Sequence, residues 1–104
     1  MIRKAFKMKL HPGALEEYTN RHNPIWETLE ITLKEQGAHD YSIFYDEDTN
    51  TLFGYVNIEC EERWKNIANT TVCRDWWEYM ADIMETNEDN SPIAQELTEV
   101  FYLK

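Results

Sequence analysis

Basic residues are scarce in this sequence. Ten Lys and Arg stand against 20 Asp and Glu in 104 residues, which gives a formal net charge of −10 at pH 7. Affinity for nucleic acids and for anionic membranes depends on neutralising phosphate groups with Lys and Arg, so neither is expected as a partner. A neutral or cationic small ligand remains compatible with the charge.

Cysteine is scarce as well. Cys60 and Cys73 lack the CxxC spacing of a redox motif, and no further cysteines are present to complete a zinc cluster. We therefore expect no metal and no redox cofactor. Two isolated thiols fit a reduced compartment, so we expect a cytoplasmic protein.

Long apolar runs and common catalytic motifs are also missing. No segment approaches the roughly 18 apolar residues of a membrane span, and the charged start, residues 1–7, does not resemble a signal peptide. There is no glycine-rich phosphate loop, HExxH or GxSxG motif. The length predicts one soluble domain over residues 1–104.

Hydrophobic periodicity predicts a regular alternation of elements. The order is a strand at 2–10, a helical region from 14 to about 36, strands at 38–46 and 51–59, helices at 61–69 and 70–84, a polar loop at 85–92, a short helical turn at 93–97 and a strand at 99–103. This βαββαβ order predicts an α+β, ferredoxin-like fold, with an antiparallel sheet and helices on one face.

The first helical region is predicted to break at Asn23-Pro24. Proline disfavours helical geometry at the preceding residue, and Asn followed by Pro is a good start for a second helix. We expect Asn23 to cap that second helix. The break then lies beside His22.

The hairpin strands carry apolar residues on both faces. Tyr41, Ile43 and Tyr45 lie on one face with Phe44 on the other, and the following strand repeats the pattern. Helices can cover only one face of the sheet. A homodimer that pairs sheet on sheet is the simplest cover for the second face, and a ligand enclosed within one subunit is the alternative.

Tyr18 and His22 lie within the apolar stripe of the first helix. Residues four apart on a helix point the same way, and the stripe runs through Leu15, Ile25 and Leu29. Histidine exchanges protons near neutral pH, so the pair is a candidate site. A core histidine with one satisfied hydrogen bond explains the pattern equally well. The helix end favours the charged imidazole and burial disfavours it, which leaves the net pKa shift open.

Trp76 and Trp77 form a second candidate. Neighbours on a helix point about 100° apart, so one of them is expected at a rim or cleft. One core tryptophan with one at a dimer interface is one interpretation. The other is a flat apolar wall against the C–H face of a sugar.

Several sequence blocks together resemble the L-rhamnose mutarotase family over nearly the whole chain. The blocks are residues 2–6, 21–26, 37–39, 62–64, Trp76-Trp77, 90–92 and 100–103. The resemblance implies a dimeric ferredoxin-like α/β barrel that interconverts the α and β anomers of L-rhamnose in rhamnose catabolism without a cofactor. It further implies that His22 is the proton donor and that Tyr18, Tyr41, Trp76 and Trp77 bind the sugar. Glu27 and Glu88 depart from the pattern, in which proline is common at both positions.

Two other functions remain open at the level of sequence. One is a cofactor-independent monooxygenase of the same dimeric barrel type, suggested by fold analogy alone. The other is a sugar-binding module without catalysis, because binding and ring opening use the same residue types. For a mutarotase, the sequence also leaves open whether the proton acceptor is Tyr18, water or another residue.

Overall fold

The computed structural model describes all 104 residues. The strands are β1 (Ile2–Lys9), β2 (Ala38–Asp46), β3 (Thr51–Ile58) and β4 (Gln95–Leu97), and the helices are α1 (Leu15–Arg21), α2 (Glu27–Glu35), α3 (Glu61–Asn66) and α4 (Thr71–Met80), with a 3₁₀ turn at Ile67–Asn69. The sheet is antiparallel in the order β2-β3-β1-β4. The predicted α+β, ferredoxin-like class is confirmed.

The helices cover one face of the sheet and bury its apolar residues. Met8 of β1 and Leu52 of β3 are paired in register and lie in a core with Leu29 of α2 and Met80 of α4. Phe6 packs against this core and faces Gly54, where a Cβ atom would come within 2.5 Å of the Phe6 ring. The missing side chain at Gly54 thus lets the Phe6 ring lie close over β3, beneath the helices.

The predicted break in the first helical region is confirmed, but the role given to Asn23 was wrong. The second helix begins at Glu27, with Trp26 as its N-cap residue. Asn23 instead ends α1: its side-chain amide donates to the Thr19 carbonyl at 2.8 Å. That carbonyl belongs to the last turn of α1, where carbonyls lack partners within the helix, so the asparagine serves the end of one helix rather than the start of the next.

The predictions for the end of the chain were also wrong. Residues 95–97 form β4 rather than a helical turn, and the predicted strand at 99–103 is irregular. The strand β4 pairs only with Ala5–Lys7 at the sheet edge. The apolar residues that predicted a strand at 99–103 are not buried by the rest of the chain. The residues Val100, Phe101, Tyr102 and Leu103 are 53–92% exposed.

The opposite face of the sheet has no helices on it. Phe44 and Phe53 are direct cross-strand partners there and are 68% and 38% exposed. The chain end approaches this face, because Arg3 binds the Glu99 carboxylate at 2.8 Å and its guanidinium lies 3.5 Å from the centre of the Tyr102 ring. None of the helices has both the length and the apolar character of a membrane span.

Candidate active site

A cavity of about 790 Å³ lies between the helices and the covered face of the sheet. Twenty of its 27 lining residues are hydrophobic. The five residues proposed from the sequence all line it, namely Tyr18, His22, Tyr41, Trp76 and Trp77. A mostly apolar cavity with a few converging polar groups is typical of small-molecule sites.

The end of α1 fixes the orientation of the His22 ring. His22 is the C-cap residue of this helix, and its Nδ1 atom lies 2.8 Å from the backbone oxygen of Tyr18. A carbonyl oxygen can only accept a hydrogen bond, so Nδ1 carries the hydrogen. In the neutral ring, Nε2 therefore holds the free lone pair, and it is the nitrogen left for a ligand.

Two aromatic rings hold the imidazole in place. The Tyr18 ring lies 4.2 Å from the His22 ring, centre to centre, and is tilted by 31°. The Trp76 ring meets His22 edge-on at 5.2 Å. The Trp76 contact is within the usual range of aromatic packing, and the Tyr18 ring lies closer still.

Arg21 ties the end of α1 to the end of α4. Its guanidinium donates to the Tyr79 carbonyl at 2.7 Å and to both oxygens of Asp82 at 2.9 and 3.2 Å. This forked arrangement is specific in geometry because guanidinium and carboxylate are both planar. It brings His22, the next residue along the chain, against Trp76 of α4.

The pKa values of His22 and Tyr18 move in opposite directions for the same reason. Burial lowers the pKa of His22 below its ordinary value of 6.5, against the opposing effect of the hydrogen bond to the Tyr18 carbonyl. Burial raises the pKa of Tyr18 well above its ordinary value. In each case burial disfavours the charged form. At neutral pH, His22 is mainly neutral and Tyr18 is a neutral phenol.

Burial therefore sets the direction of the pKa shift of His22, which the sequence left open. The interpretation of His22 as a core histidine with one satisfied hydrogen bond holds for its Nδ1 atom, which is hydrogen-bonded to the Tyr18 carbonyl. It does not hold for the residue as a whole, because His22 is only partly buried and lines the cavity.

The tandem tryptophans form part of one wall of the cavity. Trp76 is buried in the core, and its neighbour Trp77 is half-buried. Both line the cavity. This placement favours the interpretation of a flat apolar wall over one core and one interface tryptophan.

Tyr41 reaches the cavity from an irregular part of β2. The register of this strand shifts between His39 and Ser42, and Tyr41 packs edge-on against the Phe6 ring at 6.1 Å. The residue as a whole is 37% exposed, but burial of its hydroxyl end raises its pKa, with smaller contributions from Tyr18 and Cys73. Its hydroxyl is a neutral hydrogen-bonding group.

Several polar residues that line the cavity could not be predicted from the sequence. These are Thr19, Asn23, Lys65, Asn90 and Ser91. Asn90-Ser91-Pro92 belongs to a block that carries the family resemblance, but its place in a polar loop gave no sign that the loop borders a cavity. Cys73 also lines the cavity, and burial raises the pKa of its thiol to about 11.

The geometry of His22 predicts an unusual neutral tautomer. We expect ¹⁵N NMR at neutral pH to show hydrogen on Nδ1 of His22, because the Tyr18 carbonyl requires a donor there. On titration, its pKa should lie below 6.5. The His22→Asn variant identifies the signal by its loss. A neutral ring with hydrogen on Nε2 would contradict the proposed orientation.

Comparisons with known proteins identify the family of this chain. A family model described as L-rhamnose mutarotase matches residues 3–103. A curated L-rhamnose mutarotase from Escherichia coli (strain K12) is 58% identical over 103 residues, 99% of each chain. An L-rhamnose mutarotase from Escherichia fergusonii is 57% identical with the same coverage.

One solved structure gives the same assignment, and another shares the fold. An L-rhamnose mutarotase from Formosa agariphila superimposes with a TM-score of 0.92 at 44% identity over the whole of both chains. A putative antibiotic biosynthesis monooxygenase from Nitrosomonas europaea aligns over 97% of this chain and 100% of its own with a TM-score of 0.64, but at 13% identity this likeness shows the fold alone. The full-length sequence matches show that the chain belongs to the L-rhamnose mutarotase family.

Proposed function

We propose that this chain interconverts the α and β anomers of L-rhamnose by opening and reclosing the sugar ring, as a step of rhamnose catabolism. The observation that carries the proposal is the orientation of His22, which leaves Nε2 for the ligand in a cavity walled by tryptophans. Membership of the family is the reason for proposing L-rhamnose as the sugar.

The reaction is a pair of proton transfers around one carbon–oxygen bond. In ring opening, the ring oxygen gains a proton, the C1–ring oxygen bond breaks, the anomeric hydroxyl loses its proton, and C1 becomes an aldehyde. Rotation about the C1–C2 bond presents the other aldehyde face, and reclosure reverses both transfers. The site therefore needs one proton donor and one acceptor, and the protons balance over the cycle.

His22 is the proposed donor to the ring oxygen. Among the protonated forms in the cavity, its imidazolium is the strongest acid, because burial lowers the pKa of His22 and raises those of Tyr18, Tyr41 and Cys73. The imidazolium is the minor form at neutral pH, but each such ring releases its proton readily. The proton leaves from Nε2, since Nδ1 is held by the Tyr18 carbonyl.

Tyr18 is better suited to binding than to accepting the second proton. A phenol whose pKa is raised is almost never ionised at neutral pH. We propose that a water molecule at the cavity mouth accepts the proton from the anomeric hydroxyl. Tyr18 and Tyr41 then hydrogen-bond the sugar hydroxyls, while Trp76 and Trp77 contact its C–H face.

The substitution that tests this proposal is His22→Asn. Asparagine can still donate to the Tyr18 carbonyl but has no atom equivalent to Nε2 for proton transfer. We expect the unaltered protein to accelerate anomer exchange of L-rhamnose in saturation-transfer NMR, and His22→Asn to lower the rate at least about a hundredfold.

The control for this experiment is His11→Gln, since His11 is exposed and does not line the cavity. We expect it to keep the full rate. No acceleration by the folded, unaltered protein would overturn the proposed reaction and favour a binding module. An unchanged rate in folded His22→Asn would remove His22 from the role of donor.

We also propose that the chain forms a homodimer through the uncovered face of the sheet. The exposed pair Phe44 and Phe53 and the apolar chain end, 100–103, give this face more apolar surface than one chain covers. Exposed apolar surface of this kind marks protein interfaces. A second copy is the proposed partner because the same patch on both copies is apolar and can pair about a two-fold axis. The cytoplasm is the proposed compartment, on the evidence of the two isolated cysteines.

The oligomeric state can be measured by analytical ultracentrifugation. The unaltered protein should sediment with twice the 12.5 kDa mass of the chain. Phe44→Lys should shift the population toward the monomer, because it places a charge in the apolar interface. The matched control is Ile31→Lys, at a residue of α2 that is 48% exposed on the helical side, and it should leave the dimer intact. A monomer at the highest concentration reached would contradict the proposal.

A further inference from the structure

We propose that Asn90 binds sugar hydroxyls through its side-chain amide and is a specificity residue of this cavity. This inference rests on the proposed function, because it takes the ligand to be L-rhamnose. Three features of the loop that contains Asn90 carry it: the hydrogen bonds within the loop, the backbone conformation at Asn90, and the free amide of its side chain.

The loop is held in one shape by the neighbours of Asn90. The Asn87 backbone N–H donates to the Ser91 carbonyl at 2.8 Å, and the Asn87 side chain donates to the Ser91 hydroxyl at 3.0 Å. The Asp89 carboxylate accepts from the Ser91 backbone N–H at 3.0 Å and from the Ser91 hydroxyl. The Asn87 side-chain NH₂ group, one Asp89 carboxylate oxygen and the Ser91 hydroxyl are thus occupied within the loop.

Asn90 occupies the one left-handed position of this loop. Its φ angle is +70°, and its backbone N–H donates to the Asn87 carbonyl at 3.0 Å. Asparagine is among the few residues other than glycine that adopt this conformation often. The conformation places a short, stiff polar side chain at the cavity wall, where Asn90 is half-buried.

The side-chain amide of Asn90 makes no hydrogen bond within the protein, whereas most other polar groups of the wall do. Thr19 donates to the Leu15 carbonyl, Asn23 donates to the Thr19 carbonyl, and the Ser91 hydroxyl contacts Asp89. Lys65 also lines the cavity, but it is exposed to solvent. Apart from the hydroxyls of Tyr18 and Tyr41, the Nε2 atom of His22 and the indole N–H groups of the cavity tryptophans, Asn90 is the partly buried polar group that remains free for a ligand.

A carboxamide matches the chemistry of neighbouring sugar hydroxyls. Its oxygen accepts from one hydroxyl while its NH₂ group donates to the next. Such a contact discriminates between sugars, since an epimer that moves one hydroxyl leaves part of the amide unpaired. The faces of the tryptophan rings contact the C–H face of the sugar, and an indole offers a hydrogen-bond donor but no acceptor, so Asn90 supplies the combination of acceptor and donor that the tryptophan wall lacks.

Asn90→Gly tests this assignment without straining the backbone, because glycine accepts a positive φ as readily as asparagine. For anomer exchange of L-rhamnose we expect KM to rise about tenfold while kcat changes less than about twofold. L-fucose has a different arrangement of hydroxyls, and the preference for L-rhamnose over L-fucose should fall by a similar factor. Asn90→Asp keeps the acceptor and loses the donors, so its KM for L-rhamnose should lie between those of the unaltered protein and of Asn90→Gly.

The matched control is Glu88→Gly, which loosens the same loop at an exposed residue that does not line the cavity. It should leave KM and the sugar preference unchanged. If it reproduces the Asn90→Gly effect, the role of the loop is structural and the assignment is wrong. An unchanged KM in Asn90→Gly would also overturn it.

A binding measurement separates this inference from the proposed reaction. Tryptophan fluorescence reports L-rhamnose binding to the His22→Asn variant, in which proton transfer is absent. Adding Asn90→Gly should weaken that binding about tenfold. If the protein binds L-rhamnose in an Asn90-dependent way but does not speed anomer exchange, the reaction is wrong and the Asn90 assignment stands. If exchange is fast and Asn90→Gly has no effect on binding, the reaction stands and the Asn90 assignment is wrong.

Discussion

The hydrogen bond from His22 Nδ1 to the Tyr18 carbonyl determines what this cavity can do. It uses a carbonyl that the end of α1 leaves unpaired, and at the same time it selects the tautomer of the imidazole. The remaining nitrogen, Nε2, is then the only atom of the ring able to exchange a proton with a ligand. One hydrogen bond thus both satisfies the Tyr18 carbonyl and fixes the His22 tautomer, and it forms because α1 ends at this point.

The rest of the fold keeps that helix end against the cavity. Arg21 joins α1 to the last turn of α4, and α4 supplies both Trp76 and Trp77. Beneath them, Phe6 lies close over Gly54 and packs against Tyr41. Burial lowers the pKa of His22 and raises the pKa values of Tyr18 and Tyr41, so His22 is the one of these three side chains that exchanges a proton readily near neutral pH.

Much of this arrangement could be predicted from the sequence because it depends on periodicity. The spacing of four residues between Tyr18 and His22 and the adjacency of Trp76 and Trp77 predict directions that the structure reproduces. The short edge strand β4 could not be predicted, since its Gln95 and Glu96 are polar and its pairing depends on β1. The tautomer of His22, the capping role of Asn23 and the cavity position of Asn90 depend on contacts made only after folding.

The most direct test of the account is the pH dependence of kcat/KM for anomer exchange of L-rhamnose, corrected for the uncatalysed reaction. If the His22 imidazolium donates the proton, kcat/KM is high where that form is populated and falls as the pH rises through a midpoint below 6.5. The His22→Asn variant should show no such step. A kcat/KM that instead increases with pH through the same midpoint would make neutral His22 the proton acceptor and contradict its role as donor.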